Sequence, residues 1–257
     1  MIQEIVNRAL YDSNSDYALF IKNFTTGECI SMNADVQVPS ASIIKLFIMG
    51  ATFQSVQEKL FTLHELITIN ESDKIPYSII SLLGTHHSYN IQDLIILMII
   101  QSDNTATNLL ISLLGIEYIN SFIKKQGLKN TVLARKMLDF TASKKGYENY
   151  TTAKDVSEYL TLLYEGKVVA PHFSQRMLDI MSKQLDVSVM KRELSEDIHI
   201  AHKTGNLHYI NHDVGIVYTL GGDYIFSMLT WNGKDDICGK KLIGTVSKSV
   251  YDYFVTK

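Results

Sequence analysis

Apolar residues recur along this chain with two different periods, and the switches between them divide it. In residues 1–11 the apolar positions are Ile2, Ile5, Val6 and Leu10, the spacing of one helix face. Residues 17–22 and 28–32 read as strands, joined through Thr25-Thr26-Gly27 into a hairpin. After Pro39, residues 43–49 are apolar nearly all round, as a buried central helix is. From about 58 to 195 the helical period dominates, most clearly over 91–100, 105–114, 116–126, 153–165 and 174–184. Thr152 and Ser174 stand where helix starts are expected. The stretch 133–151 is polar, carries Gly146 and keeps no period, so it reads as a long ordered loop. The last third returns to strands: 198–202, then 213–220 and 224–231 paired across Gly221-Gly222, and a closing helix from about 240 to 254.

This order predicts an α+β chain of sandwich-like build. An antiparallel sheet is made from both chain ends and flanked by helices, and the middle forms an all-helical lobe. The expected division is 1–50 with 196–257 for the sheet lobe and 51–195 for the helical lobe, within a single unit of 257 residues.

Composition narrows the function. With 46% hydrophobic residues the chain can bury a sizeable core. A net charge of −3 and scattered basic residues give no electrostatic footprint for nucleic acid. The longest aliphatic run, 94–100, is far too short to span a bilayer. The first residues lack a basic region followed by an apolar one, so no signal peptide is expected, which leaves a cytoplasmic protein or a processed exported form. Cys29 and Cys238 have no metal spacing and are expected as free, mostly buried thiols. His86-His87 and His208 with His212 read as loop histidines. No carboxylate or cysteine completes a zinc set around them, so neither metal nor cofactor is expected. The expected partner is a small molecule, and the expected state is a monomer.

Three short motifs carry chemistry. The first is Ser42-Ile-Ile-Lys45. A serine hydroxyl is a poor nucleophile until a base takes its proton, and residues three apart on a helix share a face. A lysine walled in by apolar neighbours holds its proton less tightly and can serve as that base. The motif alone is weak: Ser121 with Lys124 and Ser188 with Lys191 fit it too, but only Ser42 lies on an apolar helix. The second is Ser102-Asp103-Asn104, which also reads as a helix cap. In a functional reading Ser102 passes a proton to a leaving amine and the Asn104 amide holds a substrate carbonyl. The third is Lys203-Thr204-Gly205 at a strand end. Its ammonium and hydroxyl suit a substrate carboxylate, and the glycine leaves room beside the strand. His202, just before it, reads as a core histidine able to tune the site.

This trio, in this order, resembles the class A β-lactamases and penicillin-binding serine hydrolases. The resemblance covers almost the whole chain. Ser102 follows Ser42 by 60 residues and Lys203 follows it by 161, both similar to class A spacing. Ser102-Asp-Asn-Thr-Ala-Thr-Asn108 continues the likeness. It implies a β-lactamase/transpeptidase-like fold and a Ser42 acyl-enzyme formed with β-lactam amides. It also implies an oxyanion hole from the N–H groups of Ser42 and Asn206, and Tyr77 as an aromatic wall. The alternatives within the fold are a D-alanyl peptidase or esterase, or a non-catalytic penicillin-binding sensor.

One departure stands out. Class A enzymes carry a loop glutamate, within Arg-Trp-Glu-Pro-Glu-Leu-Asn, that activates water to hydrolyse the acyl-enzyme. Here the loop reads Arg135-Lys136-Met137-Leu138-Asp139-Phe140, which puts Met137 at the glutamate position and leaves Asp139 as a displaced candidate base. Glu148-Asn149-Tyr150 resembles the end of the same loop. Slow deacylation is the expected consequence.

Overall fold

The computed structural model describes residues 1–84 and 88–256. They form two compact units: 1–43 with 151–161 and 186–257, and 44–150 with 162–185.

The first unit is a five-stranded antiparallel sheet in the order Cys29–Met32, Asp16–Asn23, Tyr224–Trp231, Ile210–Val217, Ile200–Leu207. The chain ends meet where Asp16 pairs with Trp231 and Asn23 with Tyr224, so the N-terminal hairpin is completed by three C-terminal strands. One face is covered by helices Ile2–Ala9 and Cys238–Val255. Ile2, Val6, Val246, Val250 and Phe254 bury there with Leu19, Ile21, Phe226 and Met228. Burying such side chains fully stabilises by about 1.5–3 kcal/mol each, which fixes the helices to the sheet. On the sheet the Ser227 hydroxyl donates to the Ala153 carbonyl, at the start of the helix Ala153–Tyr164. The Thr152 hydroxyl oxygen accepts the Asp155 N–H at 3.0 Å, so Thr152 caps that helix as its sequence position predicts.

Three expectations for this unit need correction. The strand predicted at 198–202 runs instead over Ile200–Leu207 and turns at His208-Tyr209 into Ile210–Val217. Lys203-Thr204-Gly205 therefore lies inside the strand, not at its end. The polar run with its glycine reads as a turn in sequence, yet it is buried and paired in the ladder with Ile210–Val217. His212 is in a strand, not a loop. It is fully buried, its Nε2 meets the Pro39 carbonyl at 2.9 Å, and burial pushes its ring down to about 4. Cys29 is exposed and Cys238 half-buried, both free, because neither faces the core.

The second unit is built around the helix Ile44–Gln57, which continues directly from the 3-10 turn Ala41–Ile43. Its residues 44–53 are all buried. The helices Ile91–Ile100, Asn104–Leu114, Ile116–Lys125 and Pro171–Met181 pack on it. It therefore belongs with the helical unit, whereas the sequence division had placed its first residues with the sheet. The helix expected from Ser174 starts at Pro171, whose fixed φ and missing N–H suit a first turn. The Ser174 hydroxyl instead donates to the Val168 carbonyl at 2.8 Å.

The 133–151 stretch is less irregular than its sequence. It contains the helix Phe140–Lys144 and ends in the strand Tyr150–Thr151. Its base is tied: Asn149 Oδ1 accepts the N–H groups of Ala134 and Arg135 at 2.7 and 3.0 Å, and Arg135 pairs with Glu148 at 2.8 Å. Among the described residues no single helix is long and apolar enough to cross a membrane. No group of three or more His, Cys, Asp or Glu among them is placed to hold a metal ion. His86-His87 lies outside the described residues.

Candidate functional site

In the helical unit, burial and capping converge on Lys45. The side chain is fully buried on its apolar helix, where an ammonium must find acceptors. Its Nζ donates to the Ser102 carbonyl at 2.7 Å, to Ser102 Oγ at 3.0 Å and to Asn104 Oδ1 at 2.8 Å. Ser102 adopts the left-handed backbone, φ 56°, that a non-glycine residue takes only when its surroundings hold it there. That turn lets the carbonyl and the hydroxyl of one residue reach the same ammonium.

What holds Ser102 is the next residue. Asp103 is fully buried and caps the helix Asn104–Leu114, accepting the Ala106 N–H at 2.8 Å. Its carboxylate also takes the Ser78 hydroxyl at 2.8 Å and the Ile80 N–H at 3.1 Å. Of the two readings of this motif, the helix cap is the one these contacts show. The same contacts lace the 75–80 segment to the helix start. The Asn104 N–H donates to the Tyr77 carbonyl at 3.3 Å, and Asn104 Nδ2 to the Pro76 carbonyl at 3.3 Å. Tyr77 has φ 55° and is 82% exposed, so its ring is offered to solvent from a fixed backbone. Further along this helix, Asn108 clamps the backbone of Met137. Its Oδ1 accepts the Met137 N–H at 2.8 Å and its Nδ2 donates to the Met137 carbonyl at 3.1 Å. Asp139 spends a carboxylate oxygen capping Phe140–Lys144, accepting the Ala142 N–H at 2.9 Å.

In the sheet unit, the half-buried Ser42 lies in the 3-10 turn Ala41–Ile43, one turn before Lys45 along the chain. The edge strand Ile200–Leu207 runs against this turn. A Cβ added at Gly205 would lie 3.2 Å from Ala41 Cβ, Ile43 Cγ1 and the Ser42 nitrogen, so a side chain there would require these neighbours to give by a few tenths of an ångström. The His212–Pro39 bond fixes the same turn to the sheet. Lys203 is fully buried and donates to the Thr204 carbonyl at 2.8 Å. Burial pulls its ammonium down to about 8, against the supporting charges of Asp213 and Asp186. Thr204 is buried, whereas Asn206 is exposed and its Oδ1 accepts Asn211 Nδ2 at 3.0 Å.

Lys45, Ser102, Asn104 and Tyr77 are thus gathered in the helical unit, and Ser42, Lys203, Thr204, Gly205 and Asn206 in the sheet unit. Sequence reasoning missed Ser78, Asp213 and Asp186. Only Asp213 left a signal, as an acid beside the apolar run Val214-Gly215-Ile216-Val217.

Comparison with known proteins bears on the family and the fold. A family model described as the Beta-lactamase enzyme family matches residues 1–254. A β-lactamase of Bacteroides uniformis is 23% identical over 246 residues, covering 88% of this chain and 82% of its own. The crystal structure of a β-lactamase from Sphaerobacter thermophilus superposes with a TM-score of 0.89 at 27% identity, covering 100% of this chain and 97% of that one. The structure of PBP-A gives a TM-score of 0.89 at 29% identity, covering 100% and 96%. With the fold and the family match in agreement over nearly its whole length, this chain belongs to the beta-lactamase enzyme family.

Proposed function

We propose that the protein is a class A-like serine hydrolase in which a β-lactam acylates Ser42 quickly and the acyl-enzyme is hydrolysed slowly. The observation that carries this reading is the bond from Lys45 Nζ to Ser102 Oγ, one helical turn from Ser42. Lys45 in its neutral form takes the Ser42 hydroxyl proton as Ser42 Oγ attacks the lactam carbonyl. The N–H groups of Ser42 and Asn206 receive the developing oxyanion. The ring C–N bond then breaks, and the proton travels through Ser102 Oγ to the departing nitrogen. Asn104 orients the acyl side chain, Tyr77 lines it, and Lys203 with Thr204 receives the substrate carboxylate. A PBP-A variant, L158E, is known as an acyl-enzyme complex with penicillin G, which supports the covalent step.

Deacylation is the weak step in this reading. Met137 supplies no base, and Asp139 is engaged as a helix cap. The same absence, together with the likeness to PBP-A, favours a second reading in which the natural donor is a D-alanyl peptide. Intact-protein mass after mixing with a penicillin, followed beside the absorbance of a chromogenic cephalosporin, tests both. A long-lived adduct with a stoichiometric burst is expected. Rapid multiple turnover would contradict slow deacylation, and absence of any adduct would end the acyl-enzyme reading. Release of D-alanine from a peptide would favour the second.

Gly205→Ala is expected to lower stability by about 1–3 kcal/mol, as an overpacked methyl does. By pushing the strand off the Ser42 turn it is also expected to slow acylation by about 10²-fold. Thermal denaturation and the rate of adduct formation read the two effects. A variant with unchanged stability and rate would show that the close approach at Gly205 is not required.

A further inference from the structure

In the sheet unit, two neighbouring residues of the strand Ile210–Val217 hold the segments that carry the Ser42 and Asn206 N–H groups. Gly205 pairs in register with His212 and Asn206 with Asn211, so His212 lies on the face that Gly205 turns to the Ser42 turn, and Asn211 on the other. The Asn211 amide donates to Asn206 Oδ1 at 3.0 Å. The His212 ring is fully buried, with Nε2 2.9 Å from the carbonyl oxygen of Pro39, which precedes Ser40, Ala41 and Ser42. Within that run Ala41 adopts a left-handed backbone, φ 46°, and the Ile43 N–H closes the turn onto the Ser40 carbonyl at 3.0 Å. A non-glycine residue keeps such a conformation only where its surroundings hold it.

The contacts of the ring decide which of its nitrogens carries the proton. Burial keeps the ring neutral near pH 7, so it has one N–H to place. A carbonyl only accepts, so the bond to Pro39 needs that N–H on Nε2. Nδ1 then accepts the Thr230 N–H, 3.2 Å away. The Asn211 carbonyl oxygen, 2.8 Å from Nδ1, takes the Thr230 hydroxyl at 2.7 Å instead. With the proton on Nδ1, two buried acceptors would face each other at 2.9 Å and the Thr230 N–H would lose this acceptor.

We propose that His212 is a positioning residue for the nucleophile. As the Nε2–H tautomer it holds the Pro39 carbonyl, and with it the strained turn, so that the Ser42 hydroxyl and N–H keep one direction. The role rests on the acylation reading given above. In that reading the ring touches no substrate and its contribution is geometric: a misplacement of about 1 Å at a reacting group costs about 10²-fold in rate.

The test compares two amides at this position. The amide nitrogen of His212→Gln reaches as far from the backbone as Nε2 and can still donate to Pro39. The amide of His212→Asn reaches only as far as Nδ1: its oxygen can accept the Thr230 N–H, and the Pro39 carbonyl loses its donor. The rate of adduct formation against penicillin concentration separates reversible binding from the acylation step. His212→Asn is expected to slow the acylation step by about 10²-fold with reversible binding unchanged, and His212→Gln to recover most of that loss. Equal losses in the two variants, or a loss in binding rather than in the acylation step, would overturn the proposal. A second measurement needs no activity: NMR of protein isotope-labelled at its histidine nitrogens, with the His212 ring assigned by its loss in His212→Gln. Nε2 is expected to carry the proton and Nδ1 to be a bare acceptor. A proton on Nδ1 would overturn the proposal, even where His212→Asn fails to fold. If the natural protein forms no adduct, the acylation reading fails, while the NMR spectrum still decides whether the ring holds the Pro39 carbonyl.

Discussion

Ser42→Ala is expected to abolish the covalent adduct with a penicillin, leaving the protein at its unmodified mass after incubation that fully labels the natural chain. The expected loss in acylation rate is at least about 10³-fold, because the nucleophile and its base act as a unit and removing one leaves the other idle. The turn that carries this hydroxyl has other supports. Ser42 is half-buried in a short 3-10 turn, and the turn is held instead by the His212–Pro39 bond and the apposition of Gly205. The variant should therefore melt close to the natural protein and still bind the ligand reversibly through Lys203 and Thr204. Ser102 gives the rival outcome. Its hydroxyl is 3.0 Å from Lys45 Nζ, so if it were the nucleophile, Ser42→Ala would still gain the full mass of the penicillin. Peptide mapping of the adduct separates the two serines, and a modified Ser42→Ala protein would defeat the assignment.

Legibility in the sequence followed the range of the interactions involved. The buried helix after Ser42 was legible because its apolar residues are contiguous, and the helices at 91–100 and 116–125 because their period is local. The three motifs were legible because each is a short local run of residues. The hairpin of Ile200–Leu207 with Ile210–Val217 was not. Its residues Lys203, Thr204, Asn211, His212 and Asp213 are polar yet buried, and a single strand read alone cannot show the partners that make such burial tolerable. The same limit hid the supports of the site. Ser78 holds Asp103 from 25 residues away, and Asp213 reaches His202 from the opposite strand. Position 137 is the opposite case: the sequence placed it by the likeness of its surroundings, and Asn108 then proves to grip its backbone from both sides.

That grip makes position 137 the place where a single substitution should change the chemistry most. Met137→Glu is expected to leave acylation nearly unchanged and to shorten the life of the acyl-enzyme by about 10²-fold or more, the usual contribution of a positioned general base. The backbone there is fixed by two hydrogen bonds to Asn108, and the loop base by the Arg135–Glu148 pair and the Asn149 contacts, so a new carboxylate would be presented in one direction. Methionine at this position is half-buried, and a glutamate of similar length fits without lengthening the loop. The cephalosporin assay should change from a burst to steady turnover, and the adduct should become transient in the mass spectrum. Asp139→Asn is the control. An asparagine oxygen still caps Phe140–Lys144, so its deacylation rate should match that of the natural protein. If Met137→Glu held its adduct as long as the natural protein, the missing loop base would not be what limits turnover. If Asp139→Asn slowed deacylation, the base would already be present in Asp139, and the slow step would lie elsewhere.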